Sequence, residues 1–191
     1  PSWTLEAWVN PSSADGTILE RRVGTAPEAY TFRLYLDNRL PVVEMTTMDD
    51  HAIVERLVLP ATEEIPLETW THLAATFDAS EQVRQLRLII NGQMVANQET
   101  LNDAAINGNG PVHVVAGGGF RGQMDNIRIW RRASAVSEIV ARMDRADTPF
   151  GSDLVAAYRF DDGTSGMPGT DGLWDTDDAS ETGLQAGQVQ D

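Results

Sequence analysis

The chain of 191 residues has no cysteine and no lysine; all 14 of its cationic side chains are arginine. Without cysteine there is neither a disulfide framework nor a thiolate metal site, so the fold must be held by its core. A chain of this length can bury roughly 70% of the surface its unfolded form exposes, which is enough for such a core. Against 29 acidic residues the arginines leave a formal charge of −15. Phosphate is repelled by that balance, which argues against nucleic acid or an anionic membrane as partner. No apolar run reaches the ~18 residues a bilayer-spanning helix needs. Familiar catalytic spacings are missing too: Gly163-Thr164-Ser165-Gly166 is one residue short of a nucleophile elbow, and the three histidines lie far apart.

What the chain does have is alternation. Trp3 to Val9, Thr17 to Arg22, Tyr30 to Leu36, Leu40 to Met45, Ile53 to Leu59, Trp70 to Asp78 and Leu86 to Ala96 read as short strands. They are separated by turn signals such as Asn10-Pro11, Asp15-Gly16, Asp37-Asn38 and Asn91-Gly92. Asn-Gly favours the left-handed pair of residues that matches strand twist, so Leu86 to Ala96 is the clearest hairpin. Strands at this spacing indicate an all-β, two-sheet antiparallel sandwich.

The organising stretch is Val112 to Met143. A strand, Val112 to Ala116, runs into Gly117-Gly118-Gly119, then Phe120-Arg121-Gly122, then a strand from Gln123 to Trp130. Glycines tolerate positive φ and stiffen nothing, so they mark a bend. Period two puts Asp125, Ile127 and Ile129 on one face of the strand, with Met124, Asn126, Arg128 and Trp130 on the other. One short helix is expected at about 134–143, capped by Ser134 or Ser137, with Val136, Ile139, Val140 and Met143 as its apolar stripe. Gly117, Gly119 and Gly122 satisfy Gly-x-Gly-x-x-Gly, but a strand follows where a dinucleotide site needs a helix.

Phe120, Gly122, Asp125, Ile127, Arg128, Ile129, Trp130, Ser137, Glu138 and Ile139 resemble the LamG-like jelly roll of the laminin-G and concanavalin A-like lectin/glucanase superfamily. Trp3 to Val9, Trp70 to Asp78 and Leu86 to Val95 are similar to three further strands of that family. The resemblance implies a jelly roll over 1–160, with 154–160 as its completing strand. Residues 161–191 form an acidic, glycine-rich tail that carries eight acidic side chains and no basic one, either folded onto the domain or opening a further repeat. The chain begins inside a strand, at Pro1-Ser2-Trp3, which suggests a piece of a longer protein.

The resemblance also implies function. Glucanases of the wider superfamily carry Glu-x-Asp-x-x-Glu on one strand, and no Glu-x-Asp occurs here, so no catalytic residues are expected. His72 lies in a strand the family keeps as core and is expected to be structural. Family members hold a structural calcium near the strand resembling Gly122 to Trp130; that places Ca2+ on Asp125 with Asp161 and Asp162. A glycan site needs an aromatic platform with amides and carboxylates nearby. The candidates are Tyr35, Trp130 and Trp174, with Asp49, Asp50 and His51 in one loop and Asn102, Asp103, Asn107 and Asn109 in another. Trp8 and Trp70 are expected in the core. The function expected is a non-catalytic module of a larger extracellular or cell-surface protein that binds glycans or glycoproteins beside neighbouring domains; the alternatives are an adhesin repeat without its own ligand and an accessory domain of a glycan-active enzyme.

Overall fold

The structure is a computed structural model that describes residues 2–22, 30–49, 52–79, 84–100, 114–145 and 152–160, with backbone only at 48–49 and 52–55. In chain order the described elements are β1 (Trp3–Pro11), β2 (Gly16–Arg22), β3 (Tyr30–Asp37), β4 (Leu40–Asp49), β5 (Ala52–Pro60) and β6 (Thr71–Asp78). After them come β7 (Arg84–Ile90), β8 (Gln93–Thr100), β9 (Val114–Ala116), β10 (Gly122–Trp130), α1 (Val136–Arg142) and β11 (Leu154–Tyr158). Two antiparallel sheets result. One has the order β11-β10-β1-β6-β7-β8 and the other β5-β4-β3-β2-β9, the two-sheet sandwich expected from the alternation and the jelly roll the resemblance implies.

Alternate residues of each strand meet between the sheets. Trp3, Leu5, Ala7 and Val9 of β1, with Leu73, Ala75 and Phe77 of β6, pack against Phe32, Leu34 and Leu36 of β3 and Val43 and Met45 of β4. Trp3, the first residue of β1, packs at one end of the core, its ring 5.6 Å from Phe32 and 6.1 Å from Phe77. The Asn91-Gly92 turn adopts the expected left-handed pair, with φ of 48° and 76°. The first hairpin turn lies one residue beyond its expected place, at Asn38 and Arg39, both at positive φ.

One bulge corrects the face assignment in β10. Glu6 pairs with Arg128 but Trp8 pairs with Asp125, so Asn126 and Ile127 together oppose Ala7, and Asn126 sits at φ 51°. The extra residue reverses the alternation. Ile127 and Ile129 enter the core as expected, while Met124 also packs against it. Asp125, opposite Trp8, is thereby on the outer face. Further corrections follow from burial and capping. Trp70 lies outside β6 and is 42% exposed. The helix is shorter than 134–143, because Ala135 is its N-cap and Glu138 accepts the Ala135 N–H at 2.8 Å; Ser134 instead accepts from Arg142. The expected last strand is present as β11, at the sheet edge beside β10.

Gly122 starts β10 at φ 137°, where a Cβ would stand 2.2 Å from the Asn10 carbonyl oxygen and 2.8 Å from Pro11 Cα. Both obstacles are backbone of the paired strand, so neither can rotate aside. Gly122→Ala is expected to destabilise the fold by about 2 kcal/mol, read from the urea unfolding midpoint. An unchanged midpoint would show that β1 and β10 can separate there at no cost.

Candidate functional site

The outer face of the five-stranded sheet carries a row of paired charges. Register places Glu20 of β2 beside Arg33 of β3, Arg33 beside Glu44 of β4, and Glu44 beside Val58 of β5. Since Leu34 and Val43 point inward, these side chains share the opposite face. Arg33 is the hub. Its Nε lies 3.3 Å from Glu20 Oε2, its Nη1 3.9 Å from Glu44 Oε2, and its Nη2 donates to Thr17 Oγ1 at 3.2 Å. The guanidinium carbon sits 4.4 Å from the centre of the Tyr35 ring and 5.3 Å from that of Tyr30. At the flanks, Arg22 Nε donates to Glu20 Oε1 at 2.9 Å and Arg56 Nε donates to Glu44 Oε1.

Depth separates the two charge types. The side chains of Glu44 and Glu20 are 0% and 7% exposed, whereas those of Arg22, Arg33 and Arg56 are 49%, 27% and 43% exposed. The carboxylates therefore form a floor and the guanidiniums a layer above it. Among the described residues Glu20 Oε2 and Glu44 Oε2 accept no hydrogen bond, so the ion pairs alone compensate them. Burial, then the charge of Glu44, push the Tyr35 phenol up from its ordinary value, against Arg33 and Arg56. Its hydroxyl is thus a neutral group that can donate and accept.

A second ionisable cluster lies on the outer face of the six-stranded sheet, closed by α1. Glu6 is fully buried, and its Oε1 accepts from Arg142 Nε at 2.7 Å, from Arg142 Nη2, and from Trp130 Nε1 at 2.9 Å. His72, also fully buried, has Nε2 3.7 Å from Glu6 Oε2. Arg128 donates to the Arg142 carbonyl at 3.2 Å and to Asn126 Oδ1 at 3.0 Å, and Trp8 Nε1 donates to the Met143 carbonyl at 2.8 Å. The bonds to Arg142 and to the Met143 carbonyl tie α1 and the residue just after it to β1 and β10, and Trp130 joins those two strands through Glu6. The cluster is a fastening, inaccessible to a ligand.

Of the residues expected in a glycan site, Tyr35 stands within the charged row. Trp130 does not serve as a platform: it is 5% exposed and spends its indole N–H on Glu6. Asp49 is described by its backbone, at the end of β4. Asp50, Asn102, Asp103, Asn107, Asn109 and Trp174 lie outside the described residues, as do Asp161 and Asp162. Asp125 is on the other sheet from Tyr35, with Oδ1 accepting the Asn126 N–H at 2.6 Å. Its negative charge acts on Arg128. Among the described residues no three His, Asp or Glu side chains gather as a metal site, so of the expected calcium ligands they supply one carboxylate beside a guanidinium. No described helix is long and apolar enough to cross a membrane.

Arg33, Glu20, Glu44, Arg22, Arg56 and Thr17 were not anticipated as site residues. The usable signal was the alternation in Phe32 to Leu36, which sets Arg33 and Tyr35, a cation and an aromatic, on the face opposite Phe32, Leu34 and Leu36. The two carboxylates become neighbours of Arg33 only through cross-strand register.

The architecture defines the class: a concanavalin A-like jelly-roll sandwich. The chain belongs to the concanavalin A-like lectin/glucanases superfamily, whose sequence profile matches residues 1–140. Among solved structures it is similar to a candidate carbohydrate-binding protein of Bacteroides ovatus, with 18% identity and a TM-score of 0.61 over 83% of this chain and 45% of that one. It therefore spans under half of that relative. A second similar structure is the CBM40 of the Ruminococcus gnavus IT-sialidase bound to α2,3-sialyllactose, with 20% identity and a TM-score of 0.52, over 73% of this chain and 81% of that one. A third is the receptor-binding domain of botulinum neurotoxin D, with 13% identity and a TM-score of 0.51, over 73% of this chain and 36% of that one. No curated protein is similar enough to count as a match.

Proposed function

We propose that this chain is a non-catalytic carbohydrate-binding module of a larger extracellular protein, and that it binds through the outer face of the five-stranded sheet. The observation that carries the reading is the grouping of Tyr35 with Arg33 at 4.4 Å, flanked by Arg22 and Arg56. Sugars are recognised by an aromatic surface for their C–H faces and by fixed donors for their hydroxyls. A sheet face holds both without ordering a loop, which lowers the entropic cost of binding. The fold shared with the Bacteroides and Ruminococcus structures supports the same reading. A non-catalytic role is supported by the floor position of Glu20 and Glu44, since glycoside hydrolysis needs two carboxylates flanking the substrate.

Tyr35→Ala is expected to weaken binding about tenfold, in titrations against the best binder found on a glycan array, with little change in unfolding midpoint. Affinity unaltered by that change would move the site off this face.

A further inference from the structure

We infer that the sandwich carries a second carbohydrate site, on the opposite side from Tyr35, with Trp70 as its platform and Asn10, Gln123 and Asn91 as its amides. The class of ligand rests on the carbohydrate-binding reading; the residues are independent of it. Register brings the four together. Asn10 of β1 pairs with Gln123 of β10, and Val9 pairs with Thr71, the first residue of β6. Just beyond, the Glu68 N–H donates to the Pro11 carbonyl at 2.8 Å, so Trp70 is held alongside Asn10 where the β1–β6 ladder ends. On the other flank the Asn91 N–H donates to the His72 carbonyl at 2.9 Å, and Asn91 Oδ1 accepts the His72 N–H at 2.9 Å. Thr71 is 2% exposed and faces inward, so alternation directs Trp70 outward, and Trp70 is 42% exposed.

The chemistry of the row is that of a sugar site. An exposed indole offers a flat apolar surface to the C–H face of a pyranose, and each amide offers a donor and an acceptor, as each hydroxyl does. Asn10 Nδ2 donates to Gln123 Oε1 at 3.2 Å. Asn10 Oδ1 is buried and has no donor among the described residues; a hydroxyl brought by the ligand satisfies it once the amide turns outward. Asn91 spends its Oδ1 on His72, which leaves its Nδ2 to donate. All four side chains are uncharged, which fits a neutral sugar held through its hydroxyls. The ionised residues two positions away along the chain are Glu68, Arg121 and Asp125, with no positive surplus to draw an anion. Trp70 and Tyr35 stand on the outer sides of two sheets about 10 Å apart, so the two sites face opposite ways and one chain bridges two glycans.

The test is an array of neutral oligosaccharides probed with the 1–191 chain, followed by titration of the best binder. In Tyr35→Ala the signal that remains is the contribution of the second site, and adding Trp70→Ala should lower it roughly tenfold further. Trp70→Phe keeps a ring and should lose less. Gln123→Ala, at an exposed strand end, should weaken the same binding about threefold while keeping the unfolding midpoint. Binding abolished by Tyr35→Ala and untouched by Trp70→Ala would overturn the second site and leave the module reading standing. So would a loss in Trp70→Ala that comes with a fallen unfolding midpoint while Gln123→Ala binds as wild type, since Trp70 would then be a packing residue. A blank array would overturn both.

Discussion

Glu6→Ala is expected to cost the fold about 3–5 kcal/mol, the penalty for breaking a buried ion pair from one side. One carboxylate oxygen receives two bonds from Arg142 and one from Trp130, and Glu6 is 0% exposed. Removing it leaves the Arg142 guanidinium and the indole N–H without their acceptor, in a place that water cannot readily reach. Arg128, 2% exposed and close by, would then repel Arg142 with no anion between them. The element at risk is α1, which carries Arg142 and has only Ile139 fully buried in its contact with Ala74 and Ile89. Urea unfolding followed by far-UV dichroism gives the loss directly. Glu6→Gln keeps an acceptor for Trp130 but drops the charge, and should fall between wild type and alanine. Adding Arg142→Met to Glu6→Ala should recover part of the loss, since a neutral pair no longer buries an orphan cation. A single alanine variant within about 1 kcal/mol of wild type would show that the cluster is better hydrated than its burial indicates.

The same cluster marks where the sequence stopped being readable. Period-two patterning was enough to find the strands, because every apolar set must face the core. It placed Ile127 and Ile129 correctly, then failed at Asp125, two residues before Ile127 in the same strand. Nothing in Met124-Asp125-Asn126 announces a bulge except an asparagine, a residue that accepts positive φ. With one extra residue, Met124 and Asp125 exchange faces. Trp130 was misjudged for a related reason: its tolerance of either environment is settled by a partner 124 residues away, Glu6. Glu6 itself gives no local sign of being buried, since a carboxylate on the second face of a strand ordinarily points to water. Ser134, a natural cap by type, is used by Arg142 instead, and Glu138 closes the first turn through the Ala135 N–H. Tyr35 was legible as an aromatic opposite a core face. The arginine layer around it was not, because it joins β2, β3, β4 and β5 through register that single-strand patterns do not contain.

Stability should also decline as the solution is acidified from pH 6.5 toward 4, through His72. Burial first, and then the positive charges of Arg128 and Arg142, hold its imidazole near a pKa of about 4 instead of the ordinary 6.5. The groups facing it are Glu6, with Oε2 3.7 Å from Nε2, those two arginines, and the edge of Trp8 at 5.3 Å between ring centres. The folded pKa is the lower one, so between the two values the unfolded chain binds the proton and the native state does not. Linkage then makes stability rise with pH. The contribution is complete above pH 6.5, is lost progressively below it, and levels off below 4 at about 3 kcal/mol. Between pH 7.5 and pH 5, before most carboxylates titrate, the expected loss is about 2 kcal/mol. Urea midpoints across that range measure it, with His72→Phe as the comparison. The variant removes the titrating group and keeps a ring against Trp8, so its stability should be nearly flat over the same interval. An equal slope in both proteins would assign the acid sensitivity to other groups, and would mean that His72 protonates in place with Glu6 taking up the charge.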